Sequence, residues 1–417
     1  MLNVNEKNIF RIKGTFPSQG VRYFSLQSNN AGIGFPISTM KDYEIEPDDP
    51  INTRNPYASN DTALNVGTYT IYVTPRGNQG FPNELALCPS DWSDTKCKSM
   101  NAVMILRFYT SDPALSPANS NTDPPVGQPN PRLFGGENPP VVERRISTGL
   151  NGERSKDEYF VYTPCDQTRP TRTTSMITDY FSVLIPPWDD PVRHNKKDNF
   201  VLYLGEESST AGVYPNLDIT YLLATAWQNG ADVPAGTRIV AKVTGLMPIT
   251  AKNLHDDPKI ANWQDYDVRY MSISTIAMLE GGPTCDTVDD AAFWRKFGPR
   301  WDRKYSIVVG EDIKGSCGLY NATTDLFLST TLDGVAQDYW SIVDRQLVPK
   351  FTHTHEPDRT NAYARMKCAE EPDKKACVNP VYLTRVLGDF YPRVEWYLCK
   401  DGILSQPDSF KEPLQAI

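Results

Sequence analysis

Short runs in which apolar and polar residues alternate with period two recur along almost the whole chain, the signature of β-strands with opposed faces. Residues 7–15 set Ile9 and Arg11 against Phe10 and Ile12, and Val21–Gln27 follows as a second strand. Met40–Ile45 reads as an amphipathic strand ending at Glu46-Pro47-Asp48-Asp49-Pro50. Strands at 68–74 and 102–109 complete a first set, with no amphipathic helix expected before residue 115. The pattern resumes at 141–146 and 158–163, then at Thr178–Ile185, Phe200–Leu204, Ile219–Thr225 and Arg238–Thr244. Helical signals are few: Asp289–Phe297 has acidic residues at its start and Gly298-Pro299 as a stop, and Asn379-Pro380 opens a short helix to Leu387, ended by Gly388.

One pattern occurs twice. Val21-Arg22-Tyr23-Phe24-Ser25-Leu26-Gln27 matches Val268-Arg269-Tyr270-Met271-Ser272-Ile273-Ser274 in its alternation and its Arg-Tyr-x-Ser centre. Tyr69–Val73 then matches Tyr305–Val309, and Val103–Arg107 matches Ser341–Arg345. Three matched strands in one order predict an internal duplication: a mainly β protein of two related antiparallel β-sandwich domains, with a few short helices in the second. The predicted boundaries are 1–112 and 176–417. Between them, 113–175 reads as a Pro-rich connector with strands, because eight prolines at 113–140 remove amide donors and keep that stretch out of a sheet. It is expected to lie extended along the surface. Arg22 and Arg269 are expected in inter-sheet ion pairs or stacks rather than at a ligand.

Composition narrows the function classes. A net charge of −9 argues against nucleic-acid binding, and 34 prolines and 26 glycines suit many short strands joined by turns. No apolar run reaches the length of about 18 residues that a membrane helix needs. The opening Met1-Leu2-Asn3-Val4 has no signal-peptide character, so export would require a leader absent from this sequence.

The eight cysteines nevertheless point outside the cytoplasm. None forms a Cys-x-x-Cys pair, and Cys88 with Cys97 and Cys368 with Cys377 each bracket a short polar loop. These are expected as local disulfides, each contributing roughly 2–4 kcal/mol. Of the three pairings open to the remaining four, Cys285 with Cys317 and Cys165 with Cys399 are preferred. Asn60-Asp61-Thr62 and Asn321-Ala322-Thr323 are acceptor triplets for N-glycosylation in turn-like sequence.

The second half carries a further set of landmarks. Tyr214-Pro215-Asn216-Leu217-Asp218 and Tyr221-Leu222 precede the Val-Arg-Tyr-Met-Ser strand and Lys304–Val309. Arg345-Gln346-Leu347-Val348-Pro349 and Leu387-Gly388-Asp389-Phe390-Tyr391-Pro392-Arg393 follow, with a cysteine shortly after. In that order, across about residues 210–399, the chain resembles a family of uncharacterised secreted or envelope-associated proteins, mainly bacterial. The first half is similar to that family's leading domain. Met271-Ser272-Ile273-Ser274 stands where the family has Trp-Ser-Leu-Cys, so the family's cysteine is missing from this strand. The resemblance implies a location outside the cytoplasm and no catalytic residues.

Candidate chemistry is sparse. His353 and His355 would share one strand face, with Glu356 and Asp358 beside them, an arrangement suited to a transition metal; His194 or His255 would have to arrive by folding. The plainer alternative is a polar loop after Pro349. Asp-Asp-Pro at 48–50, 189–191 and 256–258 offers oxygen ligands for Ca²⁺ but also simply starts turns. Paired glycosidase carboxylates are a weaker reading of the same residues. Exposed members among Trp92, Trp188, Trp263, Trp301, Trp340 and Trp396 would suit stacking on sugars, whereas most aromatics at strand spacing are core. The leading expectation is a non-enzymatic extracellular or cell-surface structural or interaction protein that self-assembles or binds other extracellular proteins. Carbohydrate binding is the first alternative and a metal-dependent enzyme using His353 and His355 the second.

Overall fold

The computed structural model describes residues 2–3, 9–17, 21–30, 36–58, 63–98, 101–110, 140–146, 158–161, 200–203, 219–225, 236–250, 268–277, 284–298, 302–337, 340–347 and 380–406. It is mainly β, with three short α-helices among the described residues. Described residues up to Val161 belong to one compact unit and those from Phe200 onward to a second.

The first unit contains β1 (Leu2–Asn3), β2 (Phe10–Thr15), β3 (Val21–Asn30), β4 (Pro36–Lys41), β5 (Thr53–Arg54), β6 (Asn65–Val66), β7 (Thr68–Thr74), β8 (Glu84–Ala86), β9 (Asn101–Thr110), β10 (Val141–Ile146) and β11 (Glu158–Val161). Two sheets dominate, in the orders β1-β9-β3-β4 and β11-β10-β2-β7-β8. All their pairs are antiparallel except β7 with β8. The alternation seen in the sequence makes one core from both: Phe24 and Leu26 of β3 join Phe10 and Ile12 of β2 and Tyr69, Ile71 and Val73 of β7 in a single buried cluster. Each such side chain contributes roughly 1.5–3 kcal/mol on burial. The strands expected inside a connector are members of this unit's sheet, with β10 paired to β2.

The second unit contains β12 (Val201–Tyr203), β13 (Ile219–Thr225), β14 (Arg238–Leu246), β15 (Tyr270–Ala277), β16 (Thr284–Asp289), β17 (Lys304–Gly310), β18 (Leu326–Ser329), β19 (Thr331–Leu332), β20 (Val335–Ala336), β21 (Trp340–Leu347), β22 (Arg393–Lys400) and β23 (Ile403–Ser405). Its main sheets run β12-β13-β21-β15-β16 and β18-β17-β14-β22-β23. Again the pair β17–β18 is parallel and the rest are antiparallel. One cluster takes residues from both sheets, including Met271, Ile273 and Ile342 from one and Val243, Ile307 and Trp396 from the other.

The helices are short. The first, α1 (Asp94–Lys98), lies in the first unit, where the periodicity gave no helix; five residues are too few to show a 3.6-residue stripe. The other two match the helical signals. In α2 (Asp290–Phe297) the Asp289 side chain accepts the Ala292 N–H at 2.9 Å, and Gly298 ends the helix at φ 73°. The last is α3 (Pro380–Leu387).

One expectation needs correction. Met40–Ile45 is not one strand: β4 ends at Lys41 and a 3₁₀ turn occupies Asp42–Glu44. The buried Asp42 carboxylate takes the Tyr43 N–H at 2.8 Å and the Phe24 N–H at 3.2 Å, so its local hydrogen bonds outcompete the ladder. Every residue of β15 is buried, as are Tyr23–Asn29 of β3. Polar side chains fill the face turned away from the core.

Candidate functional site

That buried polar face is where the repeated motif places its chemistry. Strand alternation puts Tyr270, Ser272, Ser274 and Ile276 opposite to Met271 and Ile273, which enter the core. Ser272 pairs in register with Arg345 of β21. The Arg345 guanidinium donates to Ser274 Oγ, and Ser274 Oγ lies 2.9 Å from Thr287 Oγ1 on β16. The first unit repeats the register, with Ser25 opposite Arg107 and Tyr23 opposite Tyr109, whose rings stand 5.6 Å apart. Gln27 Nε2 donates to Asn29 Oδ1 at 2.6 Å. Chemically, the strip ties strands together. A serine oxygen that accepts from a guanidinium is a poorer nucleophile, and neither Arg345 nor Thr287 is a base.

A second polar group lies inside the second unit's core. Asp344 and Gln346 share the face of Trp340 and Ile342 and are 0% and 1% exposed, with Gln346 Nε2 donating to Asp344 Oδ2 at 3.2 Å. Burial first, and then the Asp344 charge, pushes the Tyr305 hydroxyl well above its ordinary value of 10.0. At the registered positions of β9 stand Leu106 and Phe108, packed against an apolar core. The sequence carried a signal for this pair: Val343-Asp344-Arg345 breaks the apolar alternation that Ile105-Leu106-Arg107 keeps.

Behind β18 a third cluster closes on Asp325. Its carboxylate is 1% exposed, takes the Asn321 N–H at 2.9 Å and faces Lys242 Nζ at 3.7 Å. Burial pushes its pKa up, but these bonds and contacts with Ser306, Lys242 and Thr324 outweigh it and hold the group below 3.8. All its partners are structural.

The cysteine expectations divide. Cys88 and Cys97 are bridged, with Cα atoms 5.8 Å apart, and α1 closes the loop between them. The preferred pairings of Cys285 with Cys317 and of Cys165 with Cys399 do not form. Cys317 is instead bridged to Cys399, also at 5.8 Å. The cause is topological: Cys317 follows β17 and Cys399 lies on β22 of the same sheet, where both pack against Val240 and Val308, while Cys285 lies on β16 of the other sheet. Cys285 is the free thiol among the described residues, and burial pushes it up to about 11. Cys165, Cys368 and Cys377 lie outside the described residues.

The metal candidates His353, His355, Glu356 and Asp358 also lie outside them, as do His194, His255 and the last two Asp-Asp-Pro turns. Among the described residues no group of three or more His, Cys, Asp or Glu side chains is placed to hold a metal. Asp48 and Asp49 serve a turn: Asp48 takes the Thr68 hydroxyl at 2.9 Å, and Asp49 takes Asn52 Nδ2 at 2.8 Å, which holds its pKa below 3.8. Trp340 and Trp396 are core, their rings 5.5 Å apart, and Lys96 Nζ covers the half-buried Trp92 at 3.6 Å. Trp188, Trp263, Trp301 and Asn60 lie outside the described residues, whereas Asn321 is exposed. No helix among the described residues is long and apolar enough to cross a membrane.

No protein-family model matches the chain, and no curated protein matches it. Among solved structures it is similar to the crystal structure of an uncharacterised protein from Burkholderia cenocepacia, at TM-score 0.42 and 11% identity over 94% of this chain and 74% of that one. It is also similar to the crystal structure of the VPA0106 protein from Vibrio parahaemolyticus, at TM-score 0.33 and 9% identity over 83% of each chain.

Proposed function

We propose that this chain is a non-enzymatic structural or interaction protein of the extracellular space or cell surface, built from a duplicated β-sandwich and associating through its sheet edges. The observation that carries the duplication is a glycine roofed by a tyrosine at one register in both units. Gly14 pairs with Tyr69 across β2–β7, and Gly245 pairs with Tyr305 across β14–β17. A Cβ added to either glycine would meet the tyrosine Oη at 2.5 and 2.6 Å. Two more coincidences keep the same register. Ser28, five residues after Tyr23, donates to the Ala86 carbonyl at 2.5 Å, and Thr275, five residues after Tyr270, donates to the Ser329 carbonyl at 2.5 Å. Asp42 and Asp290, each just past the strand beside the motif, are both 0% exposed.

The polar groups that the motif repeats hold the sheets together, and both bridges described belong to an oxidising compartment. Terminal strands bear the chemistry of association. Among the described residues β23 ends its sheet, and Ile403 on it is 70% exposed. Sedimentation velocity combined with a glycan array tests the proposal. Concentration-dependent assembly without glycan binding supports it, and discrete glycan binding by a monomer refutes it in favour of the carbohydrate alternative.

A further inference from the structure

We propose that residues 311–325 form a redox-gated strap: the Cys317–Cys399 bridge latches them over the outer face of the sheet β18-β17-β14-β22-β23, and a dithiol that opens the bridge releases them. The latch does not depend on association through sheet edges. Residues 311–325 link β17 to β18. Val240 on β14 and Val308 on β17 lie on the face of that sheet opposite to Ala241, Val243, Ile307 and Val309, yet they are 1% and 0% exposed. Cys317, Leu319 and Tyr320 of the strap pack against them, together with Cys399 of β22 and Phe327 of β18.

The two ends of the strap are tied to the sheet by polar contacts, and its middle is not. At one end the Glu311 carbonyl accepts the Ser329 and Thr331 hydroxyls at 3.0 and 3.2 Å, and Arg238 pairs with Glu311 at 3.1 Å and with Asp312 at 3.7 Å. At the other, the Asp325 carboxylate faces Lys242 at 3.7 Å and its carbonyl accepts from the Lys296 ammonium. Among the described residues, the hydrogen bonds of 313–320 run only within the strap. Gly315 N–H donates to Asp312 Oδ1, the Ser316 N–H and hydroxyl to the Ile313 carbonyl, and the Leu319 N–H to the Ser316 carbonyl. The bridge is therefore the one bond that joins this middle to the sheet. Cys317 also holds a left-handed backbone at φ 51°, which is costly for a residue with a Cβ and is relieved when the chain is released.

The first unit covers the same place without a cysteine. The shared tyrosine register sets Tyr72 at the position of Val308. There residues 75–83 link β7 to β8, and the Phe81 ring stacks on Tyr72 at 4.0 Å. That cover is tied by hydrogen bonds, because the Glu84 carboxylate accepts the N–H groups of Gln79, Gly80 and Phe81. The second unit's cover instead hangs on a bond that a thiol can break. Access favours the same bridge: Cys317 is half-buried and Gly318 beside it is exposed, whereas Cys88 and Cys97 are 1% and 3% exposed. In the reaction one thiolate of the dithiol attacks the Cys317 sulfur, and Cys399 leaves as a thiolate and takes up a proton. The dithiol's second sulfur then displaces Cys317, so two protein thiols form as the dithiol is oxidised to a disulfide. Opening bares Val240, Val308 and Phe327, while Met271, Ile273 and Ile342 keep the core between the sheets.

The test follows hydrogen exchange and thiol alkylation by mass spectrometry on the full chain, with and without dithiothreitol. Cys317 and Cys399 are expected to alkylate before Cys88 and Cys97, and the amides of 313–320 to exchange at least about tenfold faster once they do. Amides of β15 and β21 are expected to stay as protected as in the oxidised chain, and removal of the reductant to restore the protection of 313–320. Cys88 and Cys97 alkylating first, or 313–320 exchanging no faster in reduced protein, overturns the latch. So does exchange of β15 and β21 rising in step with the strap, which is unfolding of the whole unit. A Cys317→Ser, Cys399→Ser double variant gives a second readout. It is expected to show the fast exchange of 313–320 without reductant and no further change with it, and slow exchange there overturns the proposal as well.

Discussion

The tyrosine-roofed glycine of the second unit gives the sharpest physical prediction. In Gly245→Ala the new Cβ would stand 2.6 Å from Tyr305 Oη and 2.8 Å from Cζ, separations that real Cβ atoms essentially never show. The ring has little freedom to yield. Tyr305 is 4% exposed and packs on Phe293 with ring centroids 5.3 Å apart. Overpacking of this kind costs about 1–3 kcal/mol, whereas replacing a strand glycine by alanine otherwise gains about 0.5–1 kcal/mol. The clash wins, and a net loss of roughly 0.5–2 kcal/mol is expected. Gly310, on the same strand as Tyr305, is the internal control. An added Cβ there meets nothing closer than Val240 Cγ1 at 3.8 Å, so Gly310→Ala is expected to be neutral or to gain about 0.5 kcal/mol. Urea denaturation followed by tryptophan fluorescence reads this unit through Trp340 and Trp396, both in its core. A cycle with Tyr305→Val isolates the contact, since the shortened side chain relieves the clash and couples favourably to the alanine. Gly245→Ala as stable as the parent, or zero coupling, would refute the reasoning.

Three other perturbations follow from named groups. Removing the Cys317–Cys399 bridge, with a sequence separation of 82, is expected to cost about 4–5 kcal/mol on loop entropy, against about 3 kcal/mol for Cys88–Cys97 at a separation of 9; paired Cys→Ser variants in urea give the order, and the reverse order would count against it. The Glu143 carboxyl is held below its ordinary 4.5 chiefly by the hydrogen bond from Arg11, with burial opposing. Its contribution is therefore present above pH 4.5 and fades as pH falls through the lower folded value, so Glu143→Gln should flatten the stability profile only in the acid window between 4.5 and that lower value, and a change centred at neutral pH would be inconsistent with it. Cys285, pushed to about 11 by burial, should alkylate at pH 8 about a hundredfold more slowly than an ordinary thiol near 9; equal rates in the folded protein would contradict its placement.

Much of the fold was legible because strand alternation is a local signal. The bounds of β7, β10 and β13 coincide with the runs read from the sequence, and Asp289, Gly298 and Pro380 mark helix ends by their own chemistry. Long-range partners were not legible. Nothing local to Cys317 distinguishes Cys399 from Cys285, since the choice depends on which sheet each strand joins. The same limit hid the Asp42 turn, where one carboxylate reaches the Phe24 amide of another strand. Period-two alternation also reports that two faces differ, not that one is wet. Ser25, Ser272 and Ser274 are polar, yet they are buried. Of the candidate site, the repeated Arg-Tyr-x-Ser pattern located the strip, but its sealing by Arg345 and Thr287 depends on strand order.

The central claim, a scaffold that associates through an open sheet edge, is tested most directly by sedimentation velocity of the parent chain beside Ile403→Lys over a wide concentration range. Ile403 is exposed on the terminal strand β23, and a lysine there would set like charges against each other across a strand-paired interface without disturbing the core. The account predicts that the parent grows beyond its 46.8 kDa protomer as concentration rises while the variant stays a single protomer. A parent that remains a protomer at every concentration, or a variant that assembles as readily as the parent, would contradict it.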